Sequence, residues 1–334
     1  MMKLIALLIA LFSSLALAQA TQPATQATPI PAPIAVQLPP TPDMSRMLQA
    51  AVSRVPLNNG TLNIAPGDYW LNHRVVVANF KNLTINAAGA TWHALPTMSI
   101  ASHDGVLLDC ENFNGLTIKG LKFDGNGKVR GFAGAPVSIY CYSGRNLIID
   151  GCGFANDACD GVFVWGGAPA ALRQLCQRVE IVNCTFDSPN RNAISIVGAQ
   201  HVLIHHNRFA NISANDPKAG VDIEPNAGDP PGSTMDVVVE NNTFTNCYQA
   251  WTAKQTARPT NLTFAHNSIS GGQFGANNEA ANVNIIGNTF IGTAKWAIGS
   301  DNGGSAVISG NTLAGCGLAI YVEPGNTVGA NTIK

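Results

Sequence analysis

The chain is predicted to fold as an all-β parallel β-helix, a solenoid of about ten coils with an α-helix capping its N-terminal end. Three observations carry this expectation. A short β-rich unit recurs as LTIKGLKF (116–123), LIIDGCGF (147–154), VEIVNCTF (179–186), VLIHHNRF (202–209), VVVENNTF (237–244), LTFAHNSI (262–269), VNIIGNTF (283–290), AVISGNTL (306–313) and NTVGANTI (326–333). The end residues Phe186, Phe209, Phe244, Ile269, Phe290, Leu313 and Ile333 return every 20 to 35 residues, the period of stacked repeats. No helical periodicity separates the units, which excludes a βαβ arrangement.

In chain order, residues 1–20, MMKLIALLIALFSSLALAQA, combine Lys3, an apolar run and Ala18-Gln19-Ala20, the pattern of a cleaved export signal. No later run is long and apolar enough to span a bilayer. The expectation is an exported protein, secreted or held in the periplasm or at the cell surface, without membrane insertion. Residues 21–42 are rich in Pro, Thr, Ala and Gln and read as an extended linker, leaving 43–334 as the solenoid domain. At its start, TPDMSRMLQAAVSRV places Met44, Met47, Leu48, Ala51, Val52 and Val55 at helical spacing, with Thr41 or Asp43 as N-cap and Pro42 in the first turn.

Composition limits the partners. Of 334 residues, 46% are hydrophobic and 12% charged, with a formal net charge of -1. Such a chain buries a large core and lacks the basic footprint of a nucleic-acid or anionic-lipid binder.

Within each unit the turn position reads Leu121, Cys152, Cys184, Asn207, Asn242, Asn267, Asn288, Asn311 and Asn331. An asparagine ladder there is structural, since stacked amides bond one another and the turn backbone. Cys152 and Cys184 share this position in adjacent units, close enough for either a disulfide or stacked thiols. Cys247 and Cys316 are also equivalent but three units apart, too far to pair.

A second apolar strand follows each unit, as in GVFVW (161–165), AISIV (193–197), GVDIE (220–224), AIGSD (297–301) and AIYVE (319–323). Alternation turns one column of residues outward: Phe163, Ser195, Asp222, Thr252, Asn277, Gly299 and Tyr321. A second column holds Trp165, Val197, Glu224, Lys254, Glu279, Asp301 and Glu323. Mixed aromatic and acidic columns suit a polar groove for a polysaccharide, where rings stack on sugar C–H faces and polar groups hold hydroxyls.

The catalytic candidates are Asp222, Glu224, Asp160 and Lys254. Asp222 and Glu224 lie about 6 to 7 Å apart along a strand, a spacing that leans to an inverting glycoside hydrolase. Asp160 precedes the equivalent strand two units earlier, roughly 10 Å away. The candidates for holding substrate are Asp157, Asn192, Phe163 and Trp165 on one side, and Asn277, Glu279, Asp301 and Tyr321 on the other. Elimination from a uronic acid is the alternative chemistry: calcium on Asp222 and Glu224 would neutralise the sugar carboxylate and Lys254 would serve as base. Without that reaction no cofactor is expected, and Lys254 is then a rung partner of Glu224. His205 and His206 fall on a different face and read as surface or turn residues. The loop DGNGKVRGFAGAP (124–136) carries Lys128 and Arg130 and reads either as a border of the groove favouring an anionic glycan or as a solvated insertion.

The helix followed by NNGTLNIAPGDYWL (58–71) resembles the opening of pectate-lyase-superfamily proteins, and the later units resemble right-handed β-helix repeats, over roughly residues 43–334. The resemblance implies a right-handed solenoid and a place among polysaccharide lyases, hydrolases, epimerases and phage tailspikes. It does not extend to the polygalacturonase-like motifs. Asp160 in CDGV (159–162) matches their first aspartate, but RNAI (191–194) replaces the double aspartate, no Gly-His-Gly occurs, and GVDIE stands in place of Arg-Ile-Lys. Nor does the Asp-Pro-His stretch of mannuronan epimerases occur. Beside hydrolase and lyase, the sequence leaves open a non-catalytic glycan-binding protein and a structural surface solenoid.

Overall fold

The computed structural model describes residues 42–132, 136–166 and 175–334. The predicted export signal and the linker as far as residue 41 lie outside them. From Thr41 to Lys334 the chain winds as one unit, with three short strands per coil stacked into parallel sheets of eleven, eleven and ten strands. The repeat had suggested two strands and about ten coils. The extra strands are three-residue pieces such as Thr185–Asp187 and Thr243–Thr245, too short to show a period of their own. They follow turns in which Asn183, Asn241 and Gly287 adopt positive φ of 56°, 55° and 65°, a conformation that Asn and Gly tolerate best.

The asparagine ladder forms as expected. Each backbone N–H of Asn207, Asn242, Asn267, Asn288 and Asn311 donates to the Oδ1 of the next asparagine at 2.8–2.9 Å. Each Nδ2 also donates to a strand carbonyl, as Asn267 does to Val239 at 2.9 Å. Cys184 joins the head of the ladder by donating its backbone N–H to Asn207. All eight cysteines are free, so Cys152 and Cys184 are stacked thiols, the Sγ of Cys184 donating to the Val182 carbonyl at 3.2 Å.

Inside, the rings of Phe123, Phe154, Phe186, Phe209 and Phe244 stack with centroids 4.5–5.2 Å apart and nearly parallel planes. A parallel, in-register solenoid makes this possible, because equivalent residues recur at one strand spacing of about 4.8 Å. The helix α1 (Ser45–Val52) buries Leu48 and Val52 against the first coil. Its N-cap is Met44, without a side-chain bond; the Asp43 carboxylate accepts instead from Ser45 and from the Asn72 backbone, tying the helix to the coil. Met47, expected on the buried face, is half exposed. In the 124–136 loop, residues Gly127–Arg130 form a single helical turn. Arg130 turns inward and donates to the carbonyls of Gly125, Ser99 and Gly105, so it braces loops rather than bordering a groove.

Candidate functional site

The third sheet carries both outward columns in the expected register: Phe163, Ser195, Asp222, Thr252, Asn277, Gly299 and Tyr321 are successive partners. The structure prolongs them toward the N-terminal end. Tyr140 and Asp109 continue the first column, and Tyr142 and Glu111 the second.

Asp222 departs from expectation in its surroundings. Val221 and Ile223 point into the core, and the Asp222 carboxyl points to the other side, yet it is 1% exposed rather than solvated. Gly220 explains part of this enclosure: a Cβ there would stand 2.6 Å from the Ala250 carbonyl and from the Phe244 ring, so only glycine lets the strand Ala219–Ile223 settle this deeply. Asn192 fixes the carboxyl. Its Oδ1 accepts the Ala219 N–H at 2.9 Å, which orients the amide so that Nδ2 donates to Asp222 Oδ2 at 2.9 Å and to Ser195 Oγ at 3.1 Å. Asp222 Oδ1 has no hydrogen-bond partner. Burial, then the charge of Glu224, pushes the Asp222 carboxyl well above its usual range, which favours its protonated form.

Asp160 is brought to the same place but is fully engaged. Arg191 grips it with two bonds of 2.8 and 2.5 Å, the Asn192 N–H adds a third, and the Ser195 hydroxyl a fourth at 2.8 Å. A carboxylate so held braces Ser195 and Asn192 and through them Asp222. Arg191 was not singled out in the sequence, although its place in RNAI, at the position of the absent double aspartate, was the available signal.

Glu224 is exposed at the end of its strand. With Phe163, Arg191, Asp222, Asn226 and Thr256 it lines a cleft of about 240 Å³. A neighbouring cleft of about 470 Å³ is shared by Arg191, Glu224, Asp216, Tyr248 and Lys254, so Glu224 stands between the two. Lys254 does not pair with Glu224: its Nζ donates to Glu279 at 2.8 Å. Burial acts to lower the Lys254 pKa, but the Glu279 bond outweighs it and the net shift is upward, so the ammonium keeps its proton.

The other candidates divide. Phe163 borders the first cleft, stacked on Tyr140 at 5.3 Å, while Trp165 meets Tyr140 edge-on at 6.2 Å. Asn192 is buried as a support rather than offered to a ligand. Asp157 lies away from both clefts, fully buried and bonded by the Ser138 hydroxyl. Further along, Asn277, Glu279 and Asp301 are half-buried and Tyr321 is exposed, stacked on Trp296 at 5.5 Å. His205 pairs with Glu180 on the first sheet, away from these clefts. Among the described residues, no group of three or more His, Cys, Asp or Glu side chains converges as a metal centre.

The family described as right handed beta helix region matches residues 104–277, more than half of the chain. The chain belongs to this right-handed β-helix family. Among solved structures, it resembles polygalacturonase from Erwinia carotovora, with a TM-score of 0.61 and 12% identity over 88% of this chain and 94% of that one. The exopolygalacturonase of Thermotoga maritima gives 0.60 and 12% over 88% of each chain. An alginate lyase from Paenibacillus gives 0.53 and 15% over 86% of this chain and 97% of that one. At these identities the likeness is one of fold. No curated protein matches the chain by sequence. No helix among the described residues is long and apolar enough to cross a membrane.

Proposed function

We propose that this right-handed β-helix is an exported enzyme that hydrolyses a polysaccharide in the cleft between Asp222 and Glu224. What supports this reading most is the pairing of a buried carboxyl whose surroundings favour its protonated form, one oxygen of which has no protein partner, with an exposed carboxyl two residues on. Glycosidic hydrolysis needs one carboxyl that keeps its proton and a second beside it to act on water. Asp222 gives its proton to the departing glycosidic oxygen, and Glu224 takes one from the water that attacks the anomeric carbon. Solvent then restores both. At about 6 to 7 Å along the strand, the pair stands near the lower end of the inverting range. Asn192, Asp160 and Arg191 position the acid, Phe163 and Trp165 border the sugar on one side, and Asn277, Glu279, Asp301 and Tyr321 continue the groove on the other.

The elimination reading receives less support. Lys254 is tied up in its ion pair and keeps its proton, so it makes a poor base. Calcium takes about six to eight oxygen ligands; here the offered donors are one free oxygen of Asp222, whose protonated form is favoured, and Glu224, with the cations Arg191 and Lys254 alongside. That donor set does not fit the ion. The solved structures that share this fold include polygalacturonases and an alginate lyase, which makes pectate and alginate the first polymers to try beside neutral glucans and galactans.

The test is product release from that panel, with and without calcium, by wild type, Asp222→Asn and Glu224→Gln. New reducing ends that vanish in both variants, without an ultraviolet-absorbing double bond, are expected. Glycan binding by the wild type without any cleavage would overturn the enzymatic reading in favour of a binding protein.

A further inference from the structure

The outward columns carry an acid pair on their second rung, after Val76 and Ala78, as well as at their centre. LDCE (108–111) stands in the register of VDIE (221–224), Asp109 aligning with Asp222 through Tyr140, Phe163 and Ser195. Four rungs separate the pairs, about 19 Å at the strand spacing, and the two rungs next to Asp109 are aromatic in both columns. Asp109 repeats the device at Asp222. It is fully buried, its Oδ2 is held by a donor, here Arg74 at 3.0 Å, and its Oδ1 has no partner. His103 leans over it, with Nδ1 2.7 Å from Arg74 Nη1 and its ring edge-on to Tyr140 at 4.5 Å; its Nε2 is likewise without a partner. Arg74 also lines a cleft of about 440 Å³ with Asn72, Thr97, Ser99 and Asp104.

We propose that Arg74 and Glu111, with Asp109 holding Arg74 from beneath, form a second glycan-binding site, which holds a distant stretch of the same linear polysaccharide whose bond is cut at Asp222 and Glu224. This rests on the reading of the cleft given above and adds to it the length and direction of the substrate. A guanidinium beside carboxylates and amides offers donors and acceptors at the separations of neighbouring sugar hydroxyls. The half-buried edges of Tyr142, Phe163 and Trp165 give the intervening sugars an apolar strip. Burial, then Glu111, pushes Asp109 up to about 7, and the buried carboxyl serves to hold Arg74 in place rather than to meet the sugar. The polysaccharide therefore lies along the solenoid axis, and fragments too short to reach both acid pairs bind without the contribution of the second.

The test measures equilibrium binding in the Asp222→Asn background, by calorimetry, with fragments of increasing length from pectate, alginate and a neutral β-glucan. For one of these polymers, affinity is expected to climb with length until a fragment spans about 19 Å, a gain of roughly tenfold or more for one well-made charged contact. Arg74→Ala removes that gain. Glu111→Gln, which keeps the Arg74 to Asp109 pair and so the local fold, reduces it. Three results would overturn the proposal: no dependence on length in the parent, a gain that survives both substitutions, or an equal loss for short and long fragments. Failure of the hydrolytic reading is seen separately, as absence of cleavage by the wild type whatever the binding shows.

Discussion

Asp222 and His93 both carry raised pKa values, from different physical causes. The folded pKa of Asp222 is raised, so its contribution to stability is full below the ordinary aspartate range and is lost as pH rises through the folded value. At neutral pH the carboxyl therefore weakens the fold, as groups kept for chemistry often do. Asp222→Asn is expected to lower kcat by on the order of 10²- to 10⁴-fold while raising Tm at neutral pH; a lower Tm would make Asp222 a structural residue. His93 has the same sign of pH dependence but the opposite cause, since here the charged form is favoured by its partners. It stands between Asp124 and Asp68 at 3.3 and 2.8 Å and stacks on Trp70 at 4.4 Å. The Asp124 bond leads in raising its pKa above 6.5. That stability is present below pH 6.5 and disappears as pH climbs through the folded value. Wild type should lose a little Tm over this interval relative to His93→Gln, and a small effect is expected because Asp68 is mostly exposed.

Single side chains matter here because each coil repeats them. In the asparagine ladder, Asn267 accepts from Asn242 through both its N–H and its Nδ2, and itself donates to Val239 and Asn288. Asn267→Ala takes the side-chain partner from the buried Asn242 N–H and Val239 carbonyl, both on the preceding coil, an expected cost of about 3 kcal/mol in urea unfolding. Asn331, at the half-exposed last rung, should cost under about 1 kcal/mol on the same substitution, because water replaces the lost bonds. The strand carrying Asp222 has its own weak point. Gly220→Ala drives a methyl against Phe244 and the Ala250 carbonyl, so about 1 to 3 kcal/mol of destabilisation is expected, with activity falling further than stability as the Asn192 to Asp222 bond is displaced. Activity retained in a destabilised variant would separate that strand from the chemistry.

Taken as a whole, the solenoid distributes its stability over neighbouring coils. Its first coil is covered by α1, whereas in the last one Leu318, Tyr321, Val328 and Ile333 are all at least 40% exposed. Amide hydrogen exchange should accordingly be fastest in residues 318–333 and slowest in the coils that hold the phenylalanine stack. Uniform protection from end to end would mean that the molecule opens only as one unit. The arrangement suits the proposed function, since the middle coils, covered on both sides, carry the acid and its supports.

The solenoid, the asparagine ladder and the register of both outward columns were legible in the sequence, because a parallel coil places equivalent residues one above another and repetition alone reveals them. Asp222 and Glu224 could be read as neighbours on one face for the same reason. Other features depend on what surrounds a side chain, which periodicity does not encode. Alternation put Asp222 outward, but only packing around Gly220 and Asn192 buried it and so raised its pKa. Rung order suggested Glu224 as the partner of Lys254, whereas side-chain reach decided for Glu279. Asp160 looked like a catalytic acid until Arg191, from the next coil, was seen to occupy it. Contacts between residues about thirty positions apart, set by how one coil meets the next, assign the roles that the repeat leaves equal.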